Sequence, residues 1–421
     1  MSSRACAAAA GLTLVAGLAF VETAEAAARE QRAVEQQRWA RAAPIELEGS
    51  AIQSPLVATN FVFVPGAASL ANAVCAPGVD GAGQLATALS SLLSGLALDP
   101  RLIVVLATQP LICGDIFYHP LANDVRGIGY QHEPSGELFD LTPDSRLEGM
   151  AFLNDFPYWQ AHPAEFQNDF DHEIGHRWGT RVHALIDGVD SAELLGRQQE
   201  HWSYFLNSGG SPLEGNIWTD AGAGQYVADT PLGPGQFSDL DLYAMGVLPA
   251  AQVGPQLLLR PDAPAPVTDC LGLSLNAISP PQSCGPYQTQ ATPVTFGLDD
   301  VIAVEGERDP PPVAGPITVD VVVVVLESGT TPFDLIGCQA MTDAVPARIA
   351  DFATATGGRV LLNNLVTVGA DCGAFAKAPA QVMSSGGCAA APGDPTPSGL
   401  VASLLGLVLW RARRKRVSPS S

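Results

Sequence analysis

Apolar positions along the chain follow the periods of both strands and helices. Nearly continuous apolar runs predict buried strands at residues 102–107 and 317–329, and five consecutive valines in the second run indicate a strand covered on both faces. Leucines at helical spacing predict a helix over residues 84–96. Further strands are predicted at 45–52, 56–64, 127–130, 149–154 and 359–366, and a further helix at 343–355. This mixture predicts an α+β fold with a mixed sheet.

One predicted helix carries polar residues beside its apolar stripe. Pro163 suits the first turn of a helix, and residues 164–178 contain no proline. Phe166, Phe170 and Ile174 recur at helical spacing, which predicts a face turned toward the core. Four residues separate His172 from His176, so the two rings should stack one turn apart on a neighbouring face.

His172, Glu173 and His176 form an H-E-x-x-H sequence. Two imidazoles at this spacing can both reach one zinc ion at about 2.0–2.1 Å. The Glu173 carboxylate can then act as general base and general acid toward water that the zinc ion activates. Gly175 permits close packing of the helix. The pattern predicts a catalytic Zn2+ site, and the competing interpretation is a coincidental pair of surface histidines.

A catalytic zinc site needs a third protein ligand and one open position. The metzincin pattern would place a histidine at position 182, where this chain has Val182, and the N-E-x-x-S-D helix of thermolysin-like enzymes has no counterpart. The residues themselves leave four candidates open for the third ligand: His183, Glu193, His201 and Glu214.

Two later segments carry a family resemblance. Residues 194–218 contain G-R-Q-Q-E-H-W-S and E-G-N, and residues 237–249 contain L-D-L-Y-A-M-G. Together with the H-E-x-x-H helix they resemble a group of zincin-type peptidases of myxobacteria and related bacteria, over roughly residues 113–310. The resemblance implies a zincin-like catalytic domain at 45–250, metalloendopeptidase activity and His201 as third ligand. Four other residues have both a possible site role and an ordinary packing or solvated one: Asp171, Tyr204, Tyr243 and Met245.

The composition of the chain changes after residue 250. Prolines crowd residues 251–296 around Cys270 and Cys284, which predicts a Pro-rich, disulfide-stapled loop region. Residues 297–380 then predict a C-terminal α/β portion, which either closes the catalytic domain or forms a small module of its own.

The beginning of the chain has the pattern of a secretory signal peptide. Arg4 precedes an apolar run at residues 5–21, and Ala24-Glu25-Ala26 matches the small-residue cleavage pattern. We expect residues 1–26 to be a signal peptide and residues 27–44 a linker. The alternative, a retained membrane helix, is disfavoured because the apolar run is short.

The end of the chain has three features in a fixed order. Gly386-Gly387-Cys388 precedes a spacer, an apolar stretch at 400–410 and a basic cluster at 411–416. This order resembles the C-terminal sorting signals of myxobacterial surface proteins. The resemblance implies that sorting machinery processes residues 386–421 near Cys388 and anchors the protein at the outer-membrane surface. The alternative is an ordinary helix end with basic flanks.

Cysteine usage agrees with export. The chain has eight cysteines, and setting aside Cys6 and Cys388 in the end segments leaves an even number, which predicts disulfides. Neighbouring positions suggest three pairs among the fifteen connectivities that six cysteines allow. A thiolate metal site is disfavoured because no C-x-x-C spacing occurs. The suggested pairs are Cys75–Cys113, Cys270–Cys284 and Cys338–Cys372.

Charge limits the partners. The 43 acidic and 21 basic residues give a formal net charge of -22, which disfavours nucleic acid and anionic lipid as partners.

Taken together, these sequence features predict an exported, surface-anchored, monomeric zinc peptidase that acts on protein or peptide substrates. The alternatives are a catalytically inactive zincin-like adhesion or scaffold protein, and a hydrolase of ester or amide bonds outside peptides.

Overall fold

The computed structural model describes residues 55–67, 81–111, 116–132, 146–228, 235–262, 274–281, 286–328 and 333–373. The chain divides into two compact units, Met1–Lys377 and Ala378–Ser421, and every described residue belongs to the first. The predicted signal peptide, linker, first strand and sorting tail lie outside the described residues, as do Cys75, Cys113, Cys270 and Cys284.

Strands and helices are interspersed along the described chain. The strands are β1 (Leu56–Ala58), β2 (Phe61–Val64), β3 (Leu102–Ala107), β4 (Phe117–Pro120), β5 (Gly149–Asp155), β6 (Ala184–Ile186), β7 (Val189–Ser191), β8 (Trp202–Asn207), β9 (Glu214–Asn216), β10 (Trp218–Gly222), β11 (Gln225–Ala228), β12 (Gln256–Pro261), β13 (Tyr287–Phe296), β14 (Ile317–Leu326) and β15 (Val360–Asn364). The α-helices are α1 (Gly81–Gly95), α2 (Phe156–Ala161), α3 (Pro163–Gly175), α4 (Asp239–Ala244), α5 (Leu298–Glu305) and α6 (Leu335–Ala355).

The main sheet is mixed and has seven strands. Its order is β1-β2-β14-β3-β5-β4, with β15 also paired to β14. Strand β14 runs parallel to β2, β3 and β15, whereas β1 and β4 are antiparallel edge strands. Residues 317–364 therefore complete the same sheet as residues 56–155. The α+β fold class predicted from the sequence is confirmed.

The valine run of β14 is buried on both faces, as predicted. Val321, Val323 and Val325 join the core that contains α3. Val322 and Val324 join the opposite core, where they meet the leucine stripe of α1. Because side chains alternate along a strand, one uninterrupted apolar run can serve two cores.

A second sheet of six strands has the order β10-β11-β13-β12-β8-β9. The prediction of a loop-rich region at 251–296 is wrong at both ends of that region, which form β12 and β13. Pro293 is tolerated within β13 because it lies in the half that pairs with β12 alone, so its missing N–H need not face a partner strand.

The predicted strand at 127–130 is also wrong. Gly127 and Gly129 have φ angles of 74° and 81°, a left-handed backbone that interrupts extended structure. A short 3-10 turn, Tyr130–His132, follows instead. A Cβ at Gly129 would lie 2.3 Å from the carbonyl of Arg181, so this glycine also permits a close backbone approach.

One predicted disulfide falls within the described residues and is confirmed. Cys338 of α6 is bonded to Cys372, with the two Cα atoms 5.6 Å apart. The bond fastens α6 to the segment that follows β15. Among the described helices, none combines the length and apolar character needed to cross a membrane.

Candidate metal centre

Helix α3 carries the H-E-x-x-H sequence beside the main sheet. It begins at Pro163, as predicted, and ends at Gly175, with His176 still in a helical backbone conformation. Phe166, Phe170 and Ile174 are buried in the core. A Cβ at Gly175 would lie 2.8 Å from the Phe237 ring, so the absence of a side chain permits the predicted close packing.

The three histidine rings converge through one atom each. The Nε2 atom of His172 lies 3.1 Å from that of His176 and 3.1 Å from that of His201. Two nitrogens bound to one zinc ion at about 2.0–2.1 Å in tetrahedral geometry would be about 3.3 Å apart. Among the described residues, these three histidines form the one group whose donor atoms could hold a metal ion.

Hydrogen bonds fix which nitrogens carry protons. His172 Nδ1 lies 2.7 Å from the Pro212 carbonyl oxygen, and His201 Nδ1 lies 3.0 Å from that of Arg197. A carbonyl only accepts, so each Nδ1 must be the protonated nitrogen. Burial lowers the pKa of His172 to about 4 and that of His201 well below its usual range. Both facing Nε2 atoms therefore carry lone pairs at neutral pH, and a cation between them would remove their repulsion.

Glu173 lies against the same cluster. Its Oε1 atom is 4.0 Å from His172 Nε2, and its Oε2 atom is buried without a hydrogen-bond partner in the described part of the chain. Burial, and then the nearby Asp169 carboxylate, raise the pKa of Glu173 well above its usual range. A divalent cation beside this carboxyl group would reverse that shift. The buried orphan oxygen and the converging nitrogens fit a bound metal.

A tight turn positions His201. Gly196 donates a backbone hydrogen bond to the His201 carbonyl at 2.7 Å, and a Cβ at Gly196 would lie 2.6 Å from the Trp202 carbonyl oxygen. Gln198 and Gln199 have positive φ angles of 57° and 59°. The G-R-x-x-x-H sequence thus forms a compact turn, which places the His201 ring next to the backbone carbonyl of Arg197.

The loop that holds His172 depends on Asp241, a residue whose role the sequence did not reveal. This buried carboxylate accepts hydrogen bonds from Trp202 Nε1 at 2.9 Å, Ser211 Oγ at 2.7 Å and Ser238 Oγ at 2.7 Å. Ser211 precedes Pro212, whose carbonyl orients His172. The L-D-x-Y segment therefore supports the centre through a hydrogen-bond network.

The other third-ligand candidates have different partners. His183 Nδ1 lies 2.9 Å from Asp190 Oδ1, and its ring stacks on His132. Glu193 is exposed and pairs with Arg260 at 2.7 Å. The structure does not bring either residue into the histidine cluster.

Glu214 lies closer to the cluster but is engaged. Its Oε1 atom is 2.6 Å from Arg197 and 4.0 Å from His201 Nε2. Burial raises the pKa of Glu214 to about 7, although Arg197 opposes the shift. Glu214 is therefore a neighbour of His201 that pairs with Arg197, and it is not one of the three residues whose donor atoms converge.

The remaining candidates occupy structural positions. Tyr243 Oη accepts a hydrogen bond from the Arg308 backbone at 3.1 Å, and Tyr204 is fully buried among the rings of Trp218 and Tyr287. Met245 is buried at the end of α4. Asp171 accepts a hydrogen bond from Gln167 at 2.6 Å.

The centre is enclosed. His172, Glu173, His176 and His201 are 6%, 3%, 5% and 2% exposed, respectively. Arg181 closes the end of α3 by donating to the His176 carbonyl at 3.1 Å, where a cation is favoured by the helix dipole.

Comparisons with protein-family models, with curated proteins and with solved structures find no match for this chain.

Proposed function

We propose that the protein is a zinc-dependent hydrolase of peptide bonds. The observation that carries the proposal is the convergence of three neutral histidine Nε2 atoms, two pairs of which are 3.1 Å apart, beside an unpaired buried carboxyl oxygen. Three histidines leave one coordination position for the reaction, as catalytic zinc sites require. The zincin-like architecture is supported by the H-E-x-x-H helix packed beside a mixed sheet.

The ligands in this proposal are His172, His176 and His201, and Zn2+ is favoured because imidazole donors suit it. When bound, the ion supplies a Lewis acid that polarises the substrate carbonyl and lowers the pKa of water. The peptide substrate rests on the resemblance to zincin-type peptidases, and export with surface anchoring rests on the two end segments of the sequence.

Glu173 supplies the proton chemistry. Its carboxylate accepts a proton from the attacking water as that oxygen bonds to the carbonyl carbon, and then donates the proton to the leaving amine as the C–N bond breaks. The enclosed position excludes bulk water, which strengthens the interaction of Glu173 with charges in the site.

The same enclosure favours one alternative. A metal held by three buried histidines, with Glu173 also buried, would also suit a structural role in a surface adhesion or scaffold protein. In that case zinc would stabilise the fold and no substrate would be turned over.

The test is hydrolysis of a broad peptide library by the wild type and by Glu173→Gln, with the zinc content of both measured. We expect Glu173→Gln to keep one zinc ion and to lose activity by about 10²–10⁴-fold. Glu165→Gln is the matched control, because Glu165 is an exposed carboxylate on the same helix. A zinc-loaded wild type that cleaves no peptide would support the structural role, and one that cleaves only simple esters or amides would redirect the proposal to those substrates.

A further inference from the structure

Arg197 places a positive charge beside the metal centre. Its backbone carbonyl accepts the hydrogen bond from His201 Nδ1. Its side chain pairs with Glu214, whose Oε1 atom lies 2.6 Å from Arg197 Nη2 and 4.0 Å from His201 Nε2. A single carboxylate oxygen therefore separates the guanidinium from a nitrogen that faces the metal position.

The Arg197 guanidinium has donors that Glu214 does not use. Nε and Nη2 both donate to Glu214 Oε1, at 2.7 Å and 2.6 Å, whereas Nη1 has no hydrogen-bond partner in the described part of the chain and is not a buried atom. The side chain is 41% exposed. Because an arginine side chain has five N–H donors and stays charged, Arg197 can still donate to an incoming group through Nη1.

Arg197 and Glu173 approach the histidine cluster beside different rings. Glu173 Oε1 lies 4.0 Å from His172 Nε2, whereas the Arg197 side chain lies beside His201. Burial is the main cause of the pKa shifts of His172 and Glu173, and the Arg197 charge contributes to both. It helps to lower the pKa of His172 and opposes the rise in the pKa of Glu173, so its field acts on the place where the proposed reaction occurs.

Three other polar side chains near the centre are less suited to contact a substrate. Arg181 is buried and donates to the His176 carbonyl. Tyr204 is fully buried, and the buried Tyr243 accepts a hydrogen bond from a backbone amide. Of these four side chains, only that of Arg197 combines a positive charge with exposure.

We propose that Arg197 donates a hydrogen bond from Nη1 to the oxyanion that forms on the carbonyl oxygen of the substrate, an inference that rests on the proposed function. As the water oxygen bonds to the carbonyl carbon, the π electron pair of C=O moves to the carbonyl oxygen, and Glu173 takes the proton of the water. When the C–N bond breaks, that pair re-forms C=O and the leaving amine takes the proton. The bond from Arg197 is strongest while the oxygen is negative, so it stabilises the intermediate more than the substrate.

The first test is steady-state hydrolysis of a C-terminally amidated peptide. We expect Arg197→Met, which removes the charge and keeps an unbranched side chain, to lower kcat by about 10²–10³-fold and to change KM by less than about three-fold. Arg260→Met is the matched control and should be as active as the wild type, since Arg260 is a 38% exposed arginine that pairs with Glu193.

A double variant separates catalysis from damage to the fold. Arg197→Met leaves the buried carboxyl group of Glu214 without its partner, and adding Glu214→Gln removes that group. The double variant should lose as much kcat as Arg197→Met, with one zinc ion per chain. Thermal unfolding and zinc content show whether each variant is intact.

The second test does not need turnover. In acetyl-tetraalanine amide, the central peptide bond is replaced by a phosphinic group, which is tetrahedral and negatively charged, or by a ketomethylene group, which keeps a neutral carbonyl. Isothermal titration of the zinc-loaded protein measures both affinities. We expect Arg197→Met to weaken binding of the phosphinic peptide by about 10-fold or more and to leave binding of the ketomethylene peptide unchanged.

Three results would overturn the proposal: phosphinic binding that is absent from the wild type or unchanged in Arg197→Met, equal weakening of both analogues, or wild-type kcat in the double variant. A loss of kcat confined to peptides with a free C-terminal carboxylate would also overturn it, since Arg197 would then bind that carboxylate. Phosphinic binding that depends on Arg197, without hydrolysis of any peptide, would support the anion site and contradict the proposed function alone. Peptide hydrolysis that is normal in Arg197→Met would contradict this inference alone.

Discussion

At the scale of single residues, the hydrogen bonds of the Nδ1 atoms of His172 and His201 determine whether their Nε2 atoms can bind a metal ion. The carbonyls of Pro212 and Arg197 hold the protons of His172 and His201 on Nδ1, which leaves Nε2 of each ring ready to bind a cation. Burial also favours the neutral form of both rings, because it lowers the pKa of His172 to about 4 and that of His201 well below its usual range.

Metal binding should therefore release protons from the carboxyl group of Glu173 rather than from the histidines. Burial raises the pKa of Glu173 well above its usual range, so its carboxyl group holds a proton to higher pH in the metal-free protein, and an arriving cation favours release of that proton. Burial lowers the pKa of the imidazoles instead, that of His172 to about 4, so they have fewer protons to release. We expect zinc binding near pH 6 to release more protons from the wild type than from Glu173→Gln.

Calorimetric titration with zinc in buffers of different ionisation enthalpy measures this difference. Equal proton release by the wild type and Glu173→Gln would contradict the account. Release of about two protons from Glu173→Gln would show that the histidines have ordinary pKa values.

A second prediction separates the third ligand from its competitors. His201→Ala should weaken zinc binding by at least about 100-fold, because it removes one of three donors. His183→Ala is the matched control and should bind zinc normally, since His183 pairs with Asp190. Competition with a fluorescent chelator gives both affinities. Zinc bound with full affinity by His201→Ala would remove His201 from the centre.

The sequence could predict only part of this residue-level arrangement. The spacing of His172 and His176 is enough to place both rings near one point, because residues four apart are neighbours on a helix. His201 is 25 residues from His176 in sequence, and only the family resemblance favours it over His183. The hydrogen bond between His172 Nδ1 and the Pro212 carbonyl could not be predicted from the sequence, since every residue has a backbone carbonyl.

At the scale of elements, the packing of helix α3 depends on the absence of a side chain at Gly175. Gly175 lies where a Cβ would meet Phe237 at 2.8 Å and Leu213 at 3.1 Å. Both neighbours are buried, and Phe237 also packs against Phe352 of α6 with ring centroids 5.5 Å apart. The neighbours therefore have little space to move.

Gly175→Ala should lower the free energy of unfolding by about 1–2 kcal/mol, because overpacking outweighs the gain in helix propensity. The control is Gly95→Ala at the end of α1, where nothing lies within 4 Å of an added Cβ. That change should be neutral or stabilise the protein by up to about 1 kcal/mol. Urea unfolding measures both, and a Gly175→Ala protein as stable as the wild type would refute the packing argument.

Elements with strong periodicity agree with the sequence prediction, and those defined by backbone geometry differ from it. The strand at Leu102–Ala107 and the start of α3 at Pro163 match the structure. Helix α6 begins at Leu335, earlier than the predicted 343, and continues through Pro346. The predictions at 127–130 and in β13 are wrong because the effect of glycine or proline depends on the local backbone. Gly127 and Gly129 adopt positive φ angles, and Pro293 lies within a paired strand.

At the scale of the whole molecule, β14 joins the two ends of the described chain. It lies between β2 and β3 in the main sheet, so residues 321–326 pair with strands more than 200 positions earlier. Local sequence patterns reveal a buried strand, but they carry no information on which strands it pairs with. This explains why the sequence left the role of residues 297–380 open.

The Cys338–Cys372 bond closes this C-terminal part, across a sequence separation of 34 residues. Replacing both cysteines by alanine should lower the free energy of unfolding by about 3–4 kcal/mol, because the unfolded chain gains loop entropy. Thermal unfolding measures the change, and peptide mapping under non-reducing conditions checks the bond itself. An unaltered melting temperature would contradict the expected contribution.

The central claim, that three histidines hold one zinc ion, is tested most directly by zinc K-edge X-ray absorption of the purified protein. The account predicts one zinc per chain with three imidazole nitrogens at about 2.0–2.1 Å, and loss of this signature in His172→Ala. A shell dominated by sulfur at about 2.3 Å, or an unchanged spectrum at full zinc content in His172→Ala, would contradict it.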